Sequence, residues 1–158
     1  VTDPDSNPVP NALMTFSAPP VKFSDGGVYR KGFWSYDKDI WLQVITATCP
    51  NEDHDGNGIL DVGEDSNKDG LLTPGNVVSI PSSSTTDDNG QTLINILYAK
   101  QFGAWVDVDI SVNAESAGSE SSESQEFSLP VAAADLVGEA SSPPGSPYGQ
   151  SSNCNDTD

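Results

Sequence analysis

Three observations predict an all-β fold built as an antiparallel β-sandwich. Short segments rich in β-branched and aromatic residues recur along the chain, and such residues favour strands. The 14 glycines and 12 prolines that punctuate the chain indicate frequent turns and leave little room for helices. The segment 105–114 alternates apolar and polar residues one by one, as a half-buried strand does. Short strands at regular spacing are typical of a sandwich.

In chain order, the predicted strands cover residues 11–17, 28–36, 40–48, 76–80, 91–100, 105–114 and 126–131. In the first strand, Ala12, Met14 and Phe16 share one face, as the two-residue period of a strand requires. The strand 91–100 is apolar on both faces, which is typical of a central strand.

Between these strands, polar residues predict a loop at 82–89 and a turn at 116–124. The last stretch, 138–158, is rich in Ser, Pro, Gly and Asn and predicts an extended tail. The predicted domain is therefore 1–137, with an insertion at 50–76 between two strands.

The insertion contains a 12-residue pattern that matches a calcium loop. Oxygen-bearing side chains occupy positions 1, 3 and 5, a glycine (Gly58) occupies position 6, and a carboxylate closes the loop at position 12. This spacing wraps a hard cation in alternate side-chain oxygens and one backbone carbonyl. The predicted ligands are Asp53, Asp55, Asn57, the carbonyl of Ile59, Asp61 and Glu64.

The pattern repeats at once in a second loop, which is weaker at its end. Thr73 takes position 9, and Asn76 offers one neutral oxygen at position 12, where the first loop has a carboxylate. We therefore predict two calcium ions, with a second site that is weaker or completed differently. The predicted ligands of this loop are Asp65, Asn67, Asp69, the carbonyl of Leu71 and Asn76.

The alternative is an acidic, solvated loop without an ion. Against it, residues 52–69 hold seven acidic side chains and one lysine, Lys68, and the pattern recurs in the same register. Magnesium is less suited to such all-protein oxygen cages. The flanking segments 40–50 and 74–81 are β-branched or rich in proline, so the two helices of an EF-hand sensor are not expected.

Composition limits the classes of partner. The chain has 24 acidic and 6 basic residues and a formal charge of −18, which disfavours nucleic acids and anionic membranes. No apolar run approaches the roughly 18 residues of a membrane span. Val1 opens directly onto a polar stretch, as expected of a mature or excised product.

Cys49 and Cys154 lie in polar surroundings. We predict a disulfide between them and, from that bond, an extracellular location.

Two stretches resemble bacterial immunoglobulin-like domains of the invasin/intimin type. The first is Val1-Thr2-Asp3-Pro4-Asp5-Ser6-Asn7-Pro8 with the strand after it, and the second is Thr86-Asp87-Asp88-Asn89-Gly90-Gln91-Thr92. The resemblance implies an extracellular Ig-like sandwich that serves as a stalk, adhesive or structural module. Its partners would be neighbouring Ig-like domains, identical subunits or a surface ligand. The calcium loops depart from that pattern, and the short start leaves a sheet edge open.

Catalysis is not expected. The only histidine, His54, lies at position 2 of the first loop, where side chains point outward, so histidine-based triads are excluded. The acids outside the insertion, such as Asp107 and Asp109, are predicted on exposed strand faces. We expect a non-catalytic, calcium-stabilised structural or adhesive module. The alternatives are a filament subunit joined through the open edge, and a calcium-dependent recognition module that uses Trp34, Trp41 or Trp105.

Overall fold

The computed structural model describes residues 1–22, 27–116 and 119–158. The described residues contain no α-helix, and their two 3-10 turns span Lys100–Phe102 and Ala133–Asp135. The strands are β1 Leu13–Ser17, β2 Tyr29–Asp37, β3 Ile40–Cys49, β4 Val78–Ser79, β5 Ser83–Thr85, β6 Leu97–Tyr98, β7 Asp107–Ser116 and β8 Ser119–Ser128. The predicted all-β class with antiparallel sheets is confirmed.

The chain forms two compact units. The first comprises Val1–Pro19, Val78–Leu97 and Asp109–Glu126, and the second comprises Pro20–Val77, Tyr98–Val108 and Phe127–Asp158. The domain boundary predicted at residue 137 lies inside the last segment of the second unit. The insertion at 50–76 and both cysteines belong to this second unit.

The first unit is organised around β1, which lies between β5 and β7 in a four-stranded sheet of order β5-β1-β7-β8. Met14 is opposite Ser84 on one side and Ala114 on the other. Met14 and Phe16 are buried while their neighbours in β1 are exposed, as the predicted alternation requires. A second small sheet pairs β4 with β6.

The second unit contains the β2–β3 hairpin, whose two-residue turn consists of Lys38 and Asp39. Both have positive φ, of 48° and 69°, as a turn that matches the twist of the strands requires. The register shifts between Lys31 and Gly32 at a β-bulge. Completely buried side chains form the core of this unit: Val28, Cys49, Trp105, Val106, Val108 and Leu129.

The predicted tail has no strand or helix, but it packs against the second unit. The indole N–H groups of Trp34 and Trp105 both donate to the carbonyl of Pro144, at 2.8 and 3.2 Å. The backbone N–H of Gly32 donates to the carbonyl of Gly149. The buried Lys31 donates to backbone carbonyls at the end of the chain. The tail therefore covers one side of β2.

Three sequence-based predictions about strands were wrong. Only Leu97–Tyr98 of the predicted strand 91–100 forms a strand, and Leu93 is 92% exposed. The predicted loop 82–89 contains β5. The predicted turn 116–124 largely belongs to β8, although residues 117 and 118 lie outside the described part. The residues of β8 from 120 to 128 are exposed, so this edge strand has no buried face and no apolar period.

The expectation for Asp107 was also wrong. Its side chain is buried and accepts two hydrogen bonds from the guanidinium of Arg30, at 2.9 and 2.6 Å. The hydroxyl of Ser128 donates to the same carboxylate. A buried carboxylate requires such partners, and the apolar–polar alternation of β7 gave no sign of them.

Candidate metal centre

The insertion is a tandem repeat in its backbone as well as in its sequence. Three pairs of residues twelve positions apart all have positive φ: Gly56 and Lys68, Gly58 and Gly70, and Gly63 and Gly75. Gly58 and Gly70 occupy position 6 of their loops, where the sharp turn of a calcium loop needs this conformation. Lys68 adopts it at position 4 without being a glycine, so the second loop keeps the geometry of the first at that point.

In the first loop, Asp53 at position 1 holds the turn together. Its carboxylate accepts the backbone N–H groups of Gly56, Asn57 and Gly58 at 2.8–3.1 Å. The oxygen of Asn57 at position 5 accepts the N–H of Ile59. These bonds curl the chain into a compact turn, in which the side-chain amide of Asn57 donates to the carboxylates of Asp55 and Asp61 at 2.9 Å.

The second loop repeats these bonds twelve residues later. Asp65 accepts the N–H groups of Asp69 and Gly70, at 3.0 and 3.1 Å. Asp69 at position 5 accepts the N–H of Leu71 at 2.8 Å. Asn67 at position 3 accepts the N–H of Asp69, as Asp55 accepts that of Asn57 in the first loop.

The closing residue of the second loop differs from the sequence-based expectation, whereas Glu64 lies in the first loop at its predicted position 12. In the first loop, Glu64 accepts the N–H groups of positions 2 and 9, which are His54 and Asp61, at 2.8 and 2.9 Å. In the second loop, the N–H groups of positions 2 and 9 donate at 3.0 and 2.9 Å to Glu52, which precedes the first loop. Each glutamate immediately precedes one loop and closes the other.

The structure therefore puts Glu52, rather than Asn76, in the second loop at the place that Glu64 has in the first. Asn76 is exposed. Glu52 was not among the predicted ligands, because the closing residue of each loop was expected at position 12. The signal was present, since Glu52 lies twelve residues before Glu64 and continues the same period backwards.

Three of the six predicted first-loop ligands are close enough to share one ion. Oxygens of Asp53, Asp55 and Glu64 all lie within 4.8 Å of one another. Oxygens that each lie 2.3–2.6 Å from a calcium ion are separated by at most about 5 Å. Ile59 and Leu71 at position 7 have hydrocarbon side chains, so these residues can offer only their carbonyl oxygens. The described residues thus hold oxygen ligands suited to a hard cation.

The electrostatics of the loops are unbalanced. Glu52 and Glu64 are only 3% and 5% exposed, and the partners described above are neutral backbone N–H groups. The ion pairs that lysine and arginine form among the described residues, Arg30–Asp107 and Lys100–Asp135, involve no loop carboxylate.

The pKa values of two neighbouring tyrosines are raised. Burial, with the negative charges of Glu52 and Asp69, raises the pKa of Tyr29 to about 12. Burial, with the nearby Tyr29, also raises the pKa of Tyr148. Near the end of the tail, a hydrogen bond from the backbone N–H of Asp158 lowers the pKa of Asp156.

The predicted disulfide is present at the base of the insertion. Cys49 and Cys154 are joined, with their Cα atoms 5.5 Å apart and 105 positions apart in sequence. Such a bond fits an oxidising, extracellular environment. No helix in the described part of the chain is long and apolar enough to cross a membrane. No family model, curated protein or solved structure matches this chain.

Proposed function

We propose that residues 52–76 bind two calcium ions and that the protein is a non-catalytic, extracellular structural module whose insertion the ions hold rigid. The observation that carries this proposal is that Glu52 and Glu64 are both buried and accept N–H groups from corresponding positions of the two loops. The ligands would be Asp53, Asp55, Asn57, Ile59, Asp61 and Glu64 in the first site, and Asp65, Asn67, Asp69, Leu71 and Glu52 in the second.

Burial of the two glutamates supports a cation. An ionised carboxylate away from water is strongly unfavourable unless an opposite charge or a metal compensates it. Backbone N–H groups offset part of that cost, but they add no net positive charge. A divalent ion beside each glutamate would supply the compensation that the described lysines and arginines do not.

Calcium suits the site better than magnesium. Each loop offers five or more protein oxygens from carboxylates, amides and a carbonyl, which matches the six to eight ligands of calcium. Magnesium usually retains several waters and needs near-ideal octahedral geometry. The long run from β3 to β4 would then act as an ordered element whose stability depends on calcium through mass action.

Two further observations support the wider assignment. The disulfide supports secretion, and the resemblance of 1–17 and 86–92 to bacterial Ig-like domains supports a stalk or adhesive module. Neighbouring Ig-like domains or identical subunits would be its partners. Recognition through tryptophan is not favoured, because Trp105 is completely buried and the indole N–H groups of Trp34 and Trp41 donate to backbone carbonyls.

Calorimetric titration of the oxidised, chelator-treated protein tests the proposal. We expect two calcium ions per chain, a higher melting temperature with calcium than with EDTA, and protection of 52–76 from proteolysis. Glu123→Gln on the exposed strand β8 is a matched control, because it removes one glutamate charge outside the loops. A chain that takes up no calcium, with the same melting temperature in EDTA, would overturn the proposal.

A filament subunit is a second candidate, and the sheet order favours it. β8 is ten residues long and ends the four-stranded sheet of the described strands, so its outer edge can accept another strand. Its glutamates, Glu120, Glu123 and Glu126, disfavour pairing with an identical acidic edge. Light scattering at rising protein concentration distinguishes the candidates, because a filament subunit assembles and an isolated module stays monomeric.

A further inference from the structure

The C-terminal segment 144–158 packs against the second loop. The ring of Tyr148 lies 4.7 Å from that of Tyr29, centroid to centroid. Its hydroxyl donates to the carbonyl of Pro74 at 3.4 Å. A cavity of roughly 70 Å³ is lined by Asn67, Asp69 and Thr73 of the loop, and by Pro147, Tyr148, Asp156 and Thr157 of the segment. The segment thus forms one wall of the space beside the second loop.

The loop side of this contact is held by the closing carboxylate. Glu52 accepts the backbone N–H of Thr73 at 2.9 Å, and Pro74, the acceptor of the Tyr148 hydroxyl, follows directly. A cation at the second loop that binds Glu52 would fix Thr73 and Pro74 in place. It would therefore order the surface on which Tyr148 lies.

The segment side is held by the disulfide. Cys154 lies four residues before the end of the segment, and its partner Cys49 is completely buried three residues before Glu52. Lys31 reinforces the contact through hydrogen bonds to the carbonyls of Asn153 and Asp156, at 3.2 and 2.5 Å. Without the disulfide, the ordering of the segment would rest on its non-covalent contacts alone.

We propose that calcium binding at the second loop and the Cys49–Cys154 disulfide stabilise each other, so that the redox state of this pair regulates one of the two sites. The inference rests on the proposed calcium function. In the reduction, a dithiol gives up two electrons and two protons and becomes a cyclic disulfide, while Cys49 and Cys154 become thiols. The half-buried Cys154 is the more accessible sulfur for the attacking thiolate.

The first loop should respond much less. The carboxylates that shape it, Asp53 and Glu64, accept backbone N–H groups from residues 54–61 of the same loop. The contacts described above between the segment and the insertion lie in the second loop. Reduction of the disulfide should therefore weaken calcium binding at the second loop and leave the first loop nearly unchanged. General unfolding would instead abolish both sites.

Linkage makes the proposal reciprocal. If oxidation strengthens calcium binding at the second loop by some factor, then calcium must shift the thiol–disulfide equilibrium towards the disulfide by the same factor. Couplings between sites commonly lie between about 5-fold and 150-fold, and we expect about tenfold here because the contact is local. Both sides of this relation can be measured on the full chain.

The direct test uses two variants that each keep one loop. Asp53→Asn with Asp55→Asn silences the first loop, and Asp65→Asn with Asp69→Asn silences the second. Calcium affinity is measured by calorimetry in the oxidised and the dithiothreitol-reduced forms, with circular dichroism to establish folding. We expect about tenfold weaker binding on reduction when only the second loop remains, and less than about twofold change when only the first remains.

Tyr148→Ala covers the case in which the reduced chain unfolds. This variant keeps the disulfide but removes the ring contact and the hydrogen bond to Pro74, so it should weaken only the second site.

The reverse measurement follows the fraction of disulfide in a dithiothreitol redox buffer, by alkylation and mass spectrometry. Calcium should increase that fraction, magnesium should not, and the variant with a silenced second loop should show no effect.

Equal affinity of the second loop in the oxidised, reduced and Tyr148→Ala forms would overturn the inference and leave the calcium function standing. Equal loss at both loops in a reduced chain that remains folded would also overturn it. A chain that binds no calcium in either redox state would overturn the proposed function and this inference together.

Discussion

Replacement of Glu52 by glutamine is the sharpest test of how the second site is completed. Glutamine has almost the shape of glutamate, but it is neutral and has one oxygen where the carboxylate has two. In the structure, one oxygen of Glu52 accepts the N–H groups of Ser66 and Asn67, and the other accepts that of Thr73. The Glu52→Gln variant therefore loses one acceptor and the negative charge that would bind the ion.

The expected loss has two parts. A site that binds calcium only in the folded state adds about 2.7 kcal/mol to the free energy of unfolding at a hundredfold excess over its Kd. That part disappears when the second site is lost. The lost hydrogen bond to a charged acceptor costs about 1.5–3 kcal/mol with or without calcium. For a chain of this size, the calcium-dependent part alone corresponds to about 5–10 °C in melting temperature.

The assay is thermal unfolding in calcium and in EDTA, combined with calcium stoichiometry. We expect Glu52→Gln and Glu64→Gln each to bind one ion fewer and to lose similar calcium-dependent stability, because the two glutamates occupy corresponding places. Asn76→Ala should keep two ions, because Glu52 rather than Asn76 closes the second loop. If Asn76→Ala lost the second ion while Glu52→Gln kept it, closure of the second loop by Glu52 would be refuted.

Three further predictions concern the second unit. Arg30→Leu should lower the free energy of unfolding by about 3–5 kcal/mol in urea melts, because it leaves the carboxylate of Asp107 buried and uncompensated. The control Lys100→Leu, which removes a mostly exposed ion pair, should change it by less than about 1 kcal/mol. Gly32→Ala should lower the free energy of unfolding by at least about 2 kcal/mol. The φ of Gly32 is 151°, and a Cβ there would overlap the carbonyl oxygen of Val44 in β3. Unchanged urea melts would contradict the described β-bulge. The pKa of Tyr29 is higher in the folded state than the ordinary value of 10.0, so folding keeps this phenol neutral. The contribution of neutral Tyr29 to the free energy of unfolding should be fully present below about pH 10 and should fall as the pH rises towards about 12. Urea melts between pH 9 and 12 check this, and Tyr29→Phe should reduce the alkaline loss.

The fold was predictable from the sequence where local rules agree with tertiary pairing. β1, β2, β3 and β7 have periodic apolar residues, and each lies within a few residues of its predicted position. The region 91–100 has an equally apolar pattern but forms only the two-residue strand β6. Periodicity reports which residues can be buried, whereas pairing depends on whether a neighbouring strand is in place.

The metal centre was also predictable from the sequence only in part. The sequence by itself determined the turn geometry of both loops, because the spacing of Asp, Asn and Gly acts within each run of twelve residues. Only the tertiary structure decided that Glu52 closes the second loop and that the segment around Tyr148 lies beside it. Residues that are distant along the chain meet there through packing and the Cys49–Cys154 disulfide, and local spacing carries no information about such meetings. The burial of Asp107 beside Arg30 was decided in the same way, since their 77-residue separation lies far beyond any local pattern.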